Sequence, residues 1–161
     1  MRQLKIYLDT SVINFLFHED VPELRKITET FFENHVRRGE YDVYVSDVVV
    51  REIEKTPGRA KRDQLLGVIR NSRLTVLALT DEAERLAAAY IEGGAIPPSK
   101  IEDAQHVAIA TCSQLDLLLS WNFKHLANIR RQIAVRAINE REGYLHPLRL
   151  TTPMEVAYEN D

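Results

Sequence analysis

The chain has 161 residues, of which 45% are hydrophobic, with a single cysteine and a formal net charge of −3. That is enough apolar sequence for one domain over residues 1–161 to bury a core without a structural metal, and the lone Cys112 excludes an internal disulfide. The charge balance gives no support for nucleic-acid binding through bulk positive charge, so any such partner must be read from a site. Local clusters such as Arg37-Arg38, Arg59-Ala60-Lys61-Arg62 and Arg130-Arg131 read first as solvated helix faces. No apolar run approaches the roughly 18–20 residues of a membrane span. An acidic residue follows the first strand too soon for a signal peptide, so a soluble, cytoplasmic protein is expected.

In chain order, Leu4-Lys5-Ile6-Tyr7-Leu8 reads as a short buried strand ending at Asp9. Thr10 or Ser11 can cap a helix reaching Phe17. Pro22 opens a second helix, and Leu24, Ile27, Phe31 and His35 keep its period until Gly39 stops it. Val43-Tyr44-Val45 is the next strand, with Ser46 as the cap of a helix towards Lys55. Pro57-Gly58 breaks the chain before a helix over residues 59–71, and residues 74–79 return as a strand. Thr80-Asp81-Glu82 starts a helix that Gly93-Gly94 stops. The Pro97-Pro98 turn leads into Ser99-Lys100-Ile101-Glu102, a capping box for a helix to about Ser113. Leu117-Leu118-Leu119 is a further buried strand. A helix over residues 130–141 ends near Gly143, Leu148-Arg149-Leu150 is a final edge strand, and Thr152 begins one more helix. Alternating strands and helices predict a three-layer α/β/α domain with a mainly parallel central sheet. In such sheets the functional crevice lies beyond the carboxyl ends of the strands, where strand order reverses.

Positions just after the strands are rich in oxygen ligands. Asp9 follows the first strand, Glu52 lies on the helix after the second, Asp103 sits in the first turn of the Ser99 helix, and Asn122 follows residues 117–120. Each acid is embedded in apolar sequence, where an ionised carboxylate is costly unless paired or bound to a cation. Hard ions such as Mg²⁺ or Mn²⁺ prefer oxygen ligands, and a water held and acidified by such an ion can attack a phosphodiester. Each residue also has a plainer reading. Asp9 can be only a helix cap, Glu52 can pair with Arg51 or Lys55, Asp103 can serve the helix dipole, and Asn122 can be a turn residue. His106, one turn after Asp103, reads as a packed or hydrogen-bonded histidine before it reads as a ligand. Trp121 and Phe123 could stack on bases, although core positions are the ordinary outcome after a buried strand. Cys112 reads as packing.

The run Ile6-Tyr7-Leu8-Asp9-Thr10-Ser11-Val12 resembles the opening motif of PIN domains, including VapC-type toxins of toxin–antitoxin pairs. The resemblance continues through Ser46-Asp47-Val48-Val49-Val50-Arg51-Glu52-Ile53 and is strongest over Ile101-Glu102-Asp103-Ala104-Gln105-His106-Val107-Ala108. It ends on Asp116-Leu117-Leu118-Leu119-Ser120-Trp121-Asn122-Phe123-Lys124-His125-Leu126. It implies endonucleolytic cleavage of RNA dependent on Mg²⁺ or Mn²⁺, with Asp9, Glu52 and Asp103 as metal-binding acids. Thr10 or Ser11 would position the attacking water or a phosphate, and Asn122 would complete the catalytic set. Asn122 stands where family members often carry an Asp, which implies a weaker hold on a second metal. A cognate antitoxin, docking on the helices before Gly39 and over residues 59–71, and a homodimer are implied in the same way. Two other readings stay open. One is a phosphatase with Asp9 as covalent nucleophile, for which the usual second Asp two residues on is missing. The other is a degenerate PIN module that binds RNA or protein without cutting.

Overall fold

The computed structural model describes residues 2–157; Met1 and residues 158–161, the ends of the domain expected over 1–161, lie outside it. Five strands form the sheet: β1 (Lys5–Leu8), β2 (Asp42–Ser46), β3 (Thr75–Leu77), β4 (Leu117–Leu119) and β5 (Arg149–Thr151). Their order is β3-β2-β1-β4-β5, and every pairing is parallel. The expected mainly parallel sheet is thus wholly parallel. Parallel strands need crossovers that cover both faces, so their central members are buried on both sides. Ile6, Tyr7 and Leu8 of β1 are accordingly fully buried, as are Leu118 and Leu119 of β4.

Eight α-helices among the described residues surround the sheet: α1 (Thr10–Phe15), α2 (Pro22–Phe31), α3 (Asp47–Glu54), α4 (Arg59–Asn71), α5 (Asp81–Glu92), α6 (Ile101–Cys112), α7 (Ile129–Arg141) and α8 (Met154–Ala157). They complete the three-layer α/β/α architecture. None of the helices among the described residues is long and apolar enough to cross a membrane. The chain leaves β1, moves outward through β2 and β3, and then returns to pair β4 on the other flank of β1. Strand order therefore reverses between β1 and β4, and a crevice opens beyond their carboxyl ends.

Four local expectations are corrected. Asp9, not Thr10 or Ser11, caps α1: its Oδ1 accepts from the Val12 backbone N–H at 3.4 Å, and the helix ends at Phe15 rather than Phe17. The capping box at Ser99–Glu102 does not form, because Pro98–Lys100 takes a 3-10 turn and no side chain caps α6. The strand expected over residues 74–79 shortens to β3. The Asp47 carboxylate accepts the Leu79 N–H through both oxygens at 3.1 Å, which draws that backbone away from the sheet. The second helix does not stay α-helical to Gly39: after Phe31 it widens into a π-helical turn, Phe32–Val36. Gly39, at φ 68°, takes the left-handed conformation that stops it.

Candidate active site

The crevice is assembled from the ends of three strands and the first turn of α6. Asp9 extends the β1 ladder by one residue, its N–H donating to the Leu119 carbonyl at 3.2 Å, before the chain turns into α1. That double duty, strand end and helix cap, holds its carboxylate at the mouth of the crevice with only 4% of the residue exposed. Ser11 Oγ donates to Asp9 Oδ1 at 2.5 Å and accepts the Trp121 N–H at 2.9 Å, so the loops after β1 and β4 are stitched together beside the acid. Burial pushes the Asp9 carboxyl above its ordinary range; the His106 charge and the Ser11 and Ser120 hydroxyls pull the other way, and the Asp103 charge adds to the rise.

Glu52 comes from α3, whose start is fixed by Ser46 Oγ accepting the Val48 and Val49 N–H groups at 3.2 and 3.4 Å. Val48, Val49 and Ile53 bury the inner face of this helix and leave Glu52 at the crevice edge. Thr10 Oγ1 donates to Glu52 Oε1 at 3.1 Å, and His106 Nε2 lies 2.6 Å from the same oxygen. Burial alone would raise the Glu52 carboxyl, but the hydrogen bond and charge of His106, with Thr10, outweigh it and hold the group below its ordinary value.

Asp103 lies one turn before His106 on α6, whose other faces are closed by buried Ala104, Val107 and Ala108. Burial raises its carboxyl; His106 opposes that, the Glu52 charge adds to it, and Lys100 and His125 counter it from the rim. Beyond burial, charge is what acts on this carboxylate: among the described residues no side chain or backbone N–H donates to it. Charge thus passes between the acids across the same crevice: Asp103 raises Asp9, and Glu52 raises Asp103.

Of the other residues read from sequence, Thr10 and Ser11 line the crevice as described. Asn122 does not turn its amide into it: Oδ1 accepts the His125 N–H at 3.0 Å, and its own N–H donates to Ser120 Oγ at 2.9 Å. The hydroxyl that reaches the acids from this loop is that of Ser120, buried and 3.5 Å from Ser11 Oγ, a residue that looked like an ordinary strand end. His106 is hydrogen-bonded on both ring nitrogens, as its plainer reading expected. Trp121 is core, with Nε1 donating to Thr28 Oγ1 at 2.9 Å, whereas Phe123 is 49% exposed and packs on Trp121 with ring centroids 5.8 Å apart. Cys112 packs near Tyr144, its Sγ 3.7 Å from the phenol oxygen.

The chemistry of these donors fits a hard divalent cation. Asp9 and Asp103 are each raised by burial and by a neighbouring acid's charge, and among the described residues Asp103 has no protein donor and Glu52 spends only Oε1 on the protein. A cation would relieve all of these at once. Among the described residues, no three His, Cys, Asp or Glu side chains are grouped tightly enough to ligate one ion as they stand. Loading therefore requires side-chain rotation or waters in the shell, which Mg²⁺ commonly keeps.

Comparison with known proteins agrees with this architecture. The PIN domain family model matches residues 6–130. VapBC2 from Rickettsia felis, solved bound to a DNA fragment from its promoter, superposes with a TM-score of 0.56 at 13% identity, covering 92% of this chain and 98% of that one. VapC20 of Mycobacterium tuberculosis, a Sarcin-Ricin loop cleaving toxin, gives a TM-score of 0.56 at 11% identity, covering 88% of this chain and 97% of that one. No curated protein matches the sequence. With the family match running from β1 into α7 and the acids gathered at the carboxyl ends of a wholly parallel sheet, the chain belongs to the PIN domain family.

Proposed function

We propose that this protein is a metal-dependent endoribonuclease that hydrolyses single-stranded RNA, and that it is the toxin of a toxin–antitoxin pair. The observation that carries the reading is the meeting of Asp9, Glu52 and Asp103, from three distant segments, around one crevice where the charges of all three bear on His106. Repelling acids held together at a folding cost make sense when a cation joins them. The family membership and the toxin likeness of the fold are in keeping with it.

Asp9, Asp103 and the unspent Oε2 of Glu52 would hold Mg²⁺ or Mn²⁺. Such a cation, when bound, neutralises charge building on the phosphate and makes a water more acidic. The chain supplies the remainder. Ser11 fixes the Asp9 carboxylate, and Thr10 fixes Glu52, so that neither acid has to be ordered during the reaction. Lys100, already close enough to act on Asp103, places positive charge where the RNA backbone would approach, with the His125 ring beside it. Asn122 holds the His125 backbone in place and so serves the loop rather than the acids.

Purified protein is expected to cut single-stranded RNA with Mg²⁺ or Mn²⁺ and to stop when EDTA is added. Cleavage undiminished in EDTA would reject the metal-dependent reading. RNA that binds but stays intact with either ion would favour the degenerate module instead. Phe123 offers a stacking face at the rim, and base stacking is worth about 1–3 kcal/mol. Phe123→Ala should therefore weaken RNA binding measured in EDTA by roughly 5- to 100-fold. An unchanged Kd would remove Phe123 from the substrate path.

A cognate antitoxin would dock on the helical side of the domain. A cleft of about 730 Å³ lies between α2 with its π-helical turn and α4, lined by Leu16, Phe17, Phe32 and Val68 together with Arg25, Arg37, Glu29, Glu33 and Asp63. It joins the two helical stretches singled out from the sequence as a partner surface.

A further inference from the structure

A chain of hydrogen bonds runs from the Glu52 carboxylate into the protein core. His106 Nε2 is 2.6 Å from Glu52 Oε1, His106 Nδ1 is 2.6 Å from the Tyr7 hydroxyl, and that hydroxyl is 2.7 Å from Ser46 Oγ. All three supporting residues are buried, Tyr7 and Ser46 completely. They come from β1, the end of β2 and α6, the elements that frame the crevice. A buried tyrosine hydroxyl and a buried serine hydroxyl are costly unless each has a defined partner, so the arrangement is not incidental packing.

The proton positions along this chain are constrained. Ser46 Oγ already accepts two backbone N–H groups at the start of α3, which leaves its proton to be donated to Tyr7. In the neutral ring Tyr7 then donates to His106 Nδ1, and the ring proton stands on Nε2, facing Glu52. A second proton on the imidazole would turn Nδ1–H towards the Tyr7 oxygen and leave Nε2–H on Glu52. In both states the same ring nitrogen grips the same carboxylate oxygen.

We propose that Tyr7 and Ser46, acting through His106, are positioning residues for Glu52: they aim His106 Nε2–H at Oε1 and so leave Oε2 available to a divalent cation. The inference rests on the metal-dependent reading given above. Its logic is that of groups behind a metal ligand, which set the ligand's orientation and whose loss typically costs 10- to 100-fold in metal affinity or activity. Thr10 supports the same oxygen from the opposite wall, so Oε1 is held from two sides and the carboxylate cannot rotate freely. Tyr7 and His106 also touch ring to ring, with centroids 5.6 Å apart, which steadies the imidazole plane.

Tyr7→Phe tests this, because it removes one oxygen and leaves the buried ring in place. Binding of Mn²⁺ alone, read from the electron paramagnetic resonance of the free ion, is expected to weaken about tenfold, the lower end of that range. The Mn²⁺ concentration giving half-maximal RNA cleavage should rise by a similar factor, while kcat at saturating Mn²⁺ returns towards the wild-type value. If Tyr7→Phe does not fold, His106→Gln gives the same affinity comparison. A wild-type protein that binds Mn²⁺ normally, with an affinity the variant leaves unmoved, overturns the positioning role alone. A wild-type protein that binds no Mn²⁺ overturns the metal reading and the role built on it together.

Discussion

Replacing Asp103 with asparagine is expected to lower RNA cleavage at least about a hundredfold while leaving the metal-free fold no less stable than the wild type. A hundredfold corresponds to about 2.7 kcal/mol of lost transition-state stabilisation, a modest share of what a cation and its ligands supply. The stability half follows from the sign of the shift. Burial and the Glu52 charge raise the Asp103 carboxyl, so at neutral pH the folded protein carries an ionised group that the unfolded chain would hold more cheaply. Asparagine keeps the size and drops the charge. Urea melts in EDTA should therefore place Asp103→Asn at or above the wild type, an instance of a functional site held against stability. Saturating Mn²⁺ reverses the order. An ion at about 100 times its Kd adds about 2.7 kcal/mol to the protein that binds it, and the variant gains much less. Asp9→Asn should lose activity in the same way, with asparagine still able to accept the Val12 N–H at the start of α1. Equal Mn²⁺ stabilisation of wild type and Asp103→Asn, or retained cleavage, would sink the assignment of this acid.

The sheet and the positions of the acids were readable from local pattern because each rests on short-range cues. The apolar run 6–8 ending in Asp9, the Ser46 cap before an apolar helix, and Asp103 on an Ala-rich helix are all visible within a few residues. The helix at residues 59–71 has its predicted bounds for the same reason, with a Pro-Gly break before it. What escaped notice are contacts made across long stretches of chain. Tyr7 meets Ser46 and His106 from 39 and 99 residues away, and nothing near any of them in sequence distinguishes it from core, cap or packing. The β3 strand shortens because of Asp47, 32 residues upstream of Leu79. Ser120 reaches Asp9 from the loop after β4, while the Asn122 amide oxygen is taken up by the His125 N–H three residues on. Asp9 displaced Thr10 as cap for a related reason: a carboxylate at the strand end is already aimed at the N–H groups of the next turn.

Asp116 provides the opposite case, an acid whose worth lies in folding. It precedes β4, at the amino end of the sheet and away from the crevice, and its side chain is 10% exposed. Arg2 donates to both of its oxygens at 2.7 and 2.8 Å, the Lys5 N–H donates at 2.8 Å, and His146 Nε2 lies 2.9 Å away. These bonds tie the start of β1 and the segment before β5 to the start of β4. Arg2 first, then the Lys5 N–H and His146, hold the carboxyl far below its ordinary range against the opposing effect of burial. A carboxyl lowered in this way stabilises the fold at pH values above its unfolded pKa of about 3.9, and that stability is lost as pH falls below it towards the folded value. Asp116→Asn keeps the shape and removes the charge that organises the donors, so it should cost about 1.5–3 kcal/mol at pH 7. The gap between variant and wild type in urea melts should narrow as pH falls below about 4, where the wild-type advantage fades. Cleavage per folded molecule should stay at the wild-type level, because no group in the crevice touches Asp116. A variant as stable as the wild type at pH 7 would refute the structural role, and a selective loss of cleavage would mean that the amino end of the sheet takes part in the chemistry.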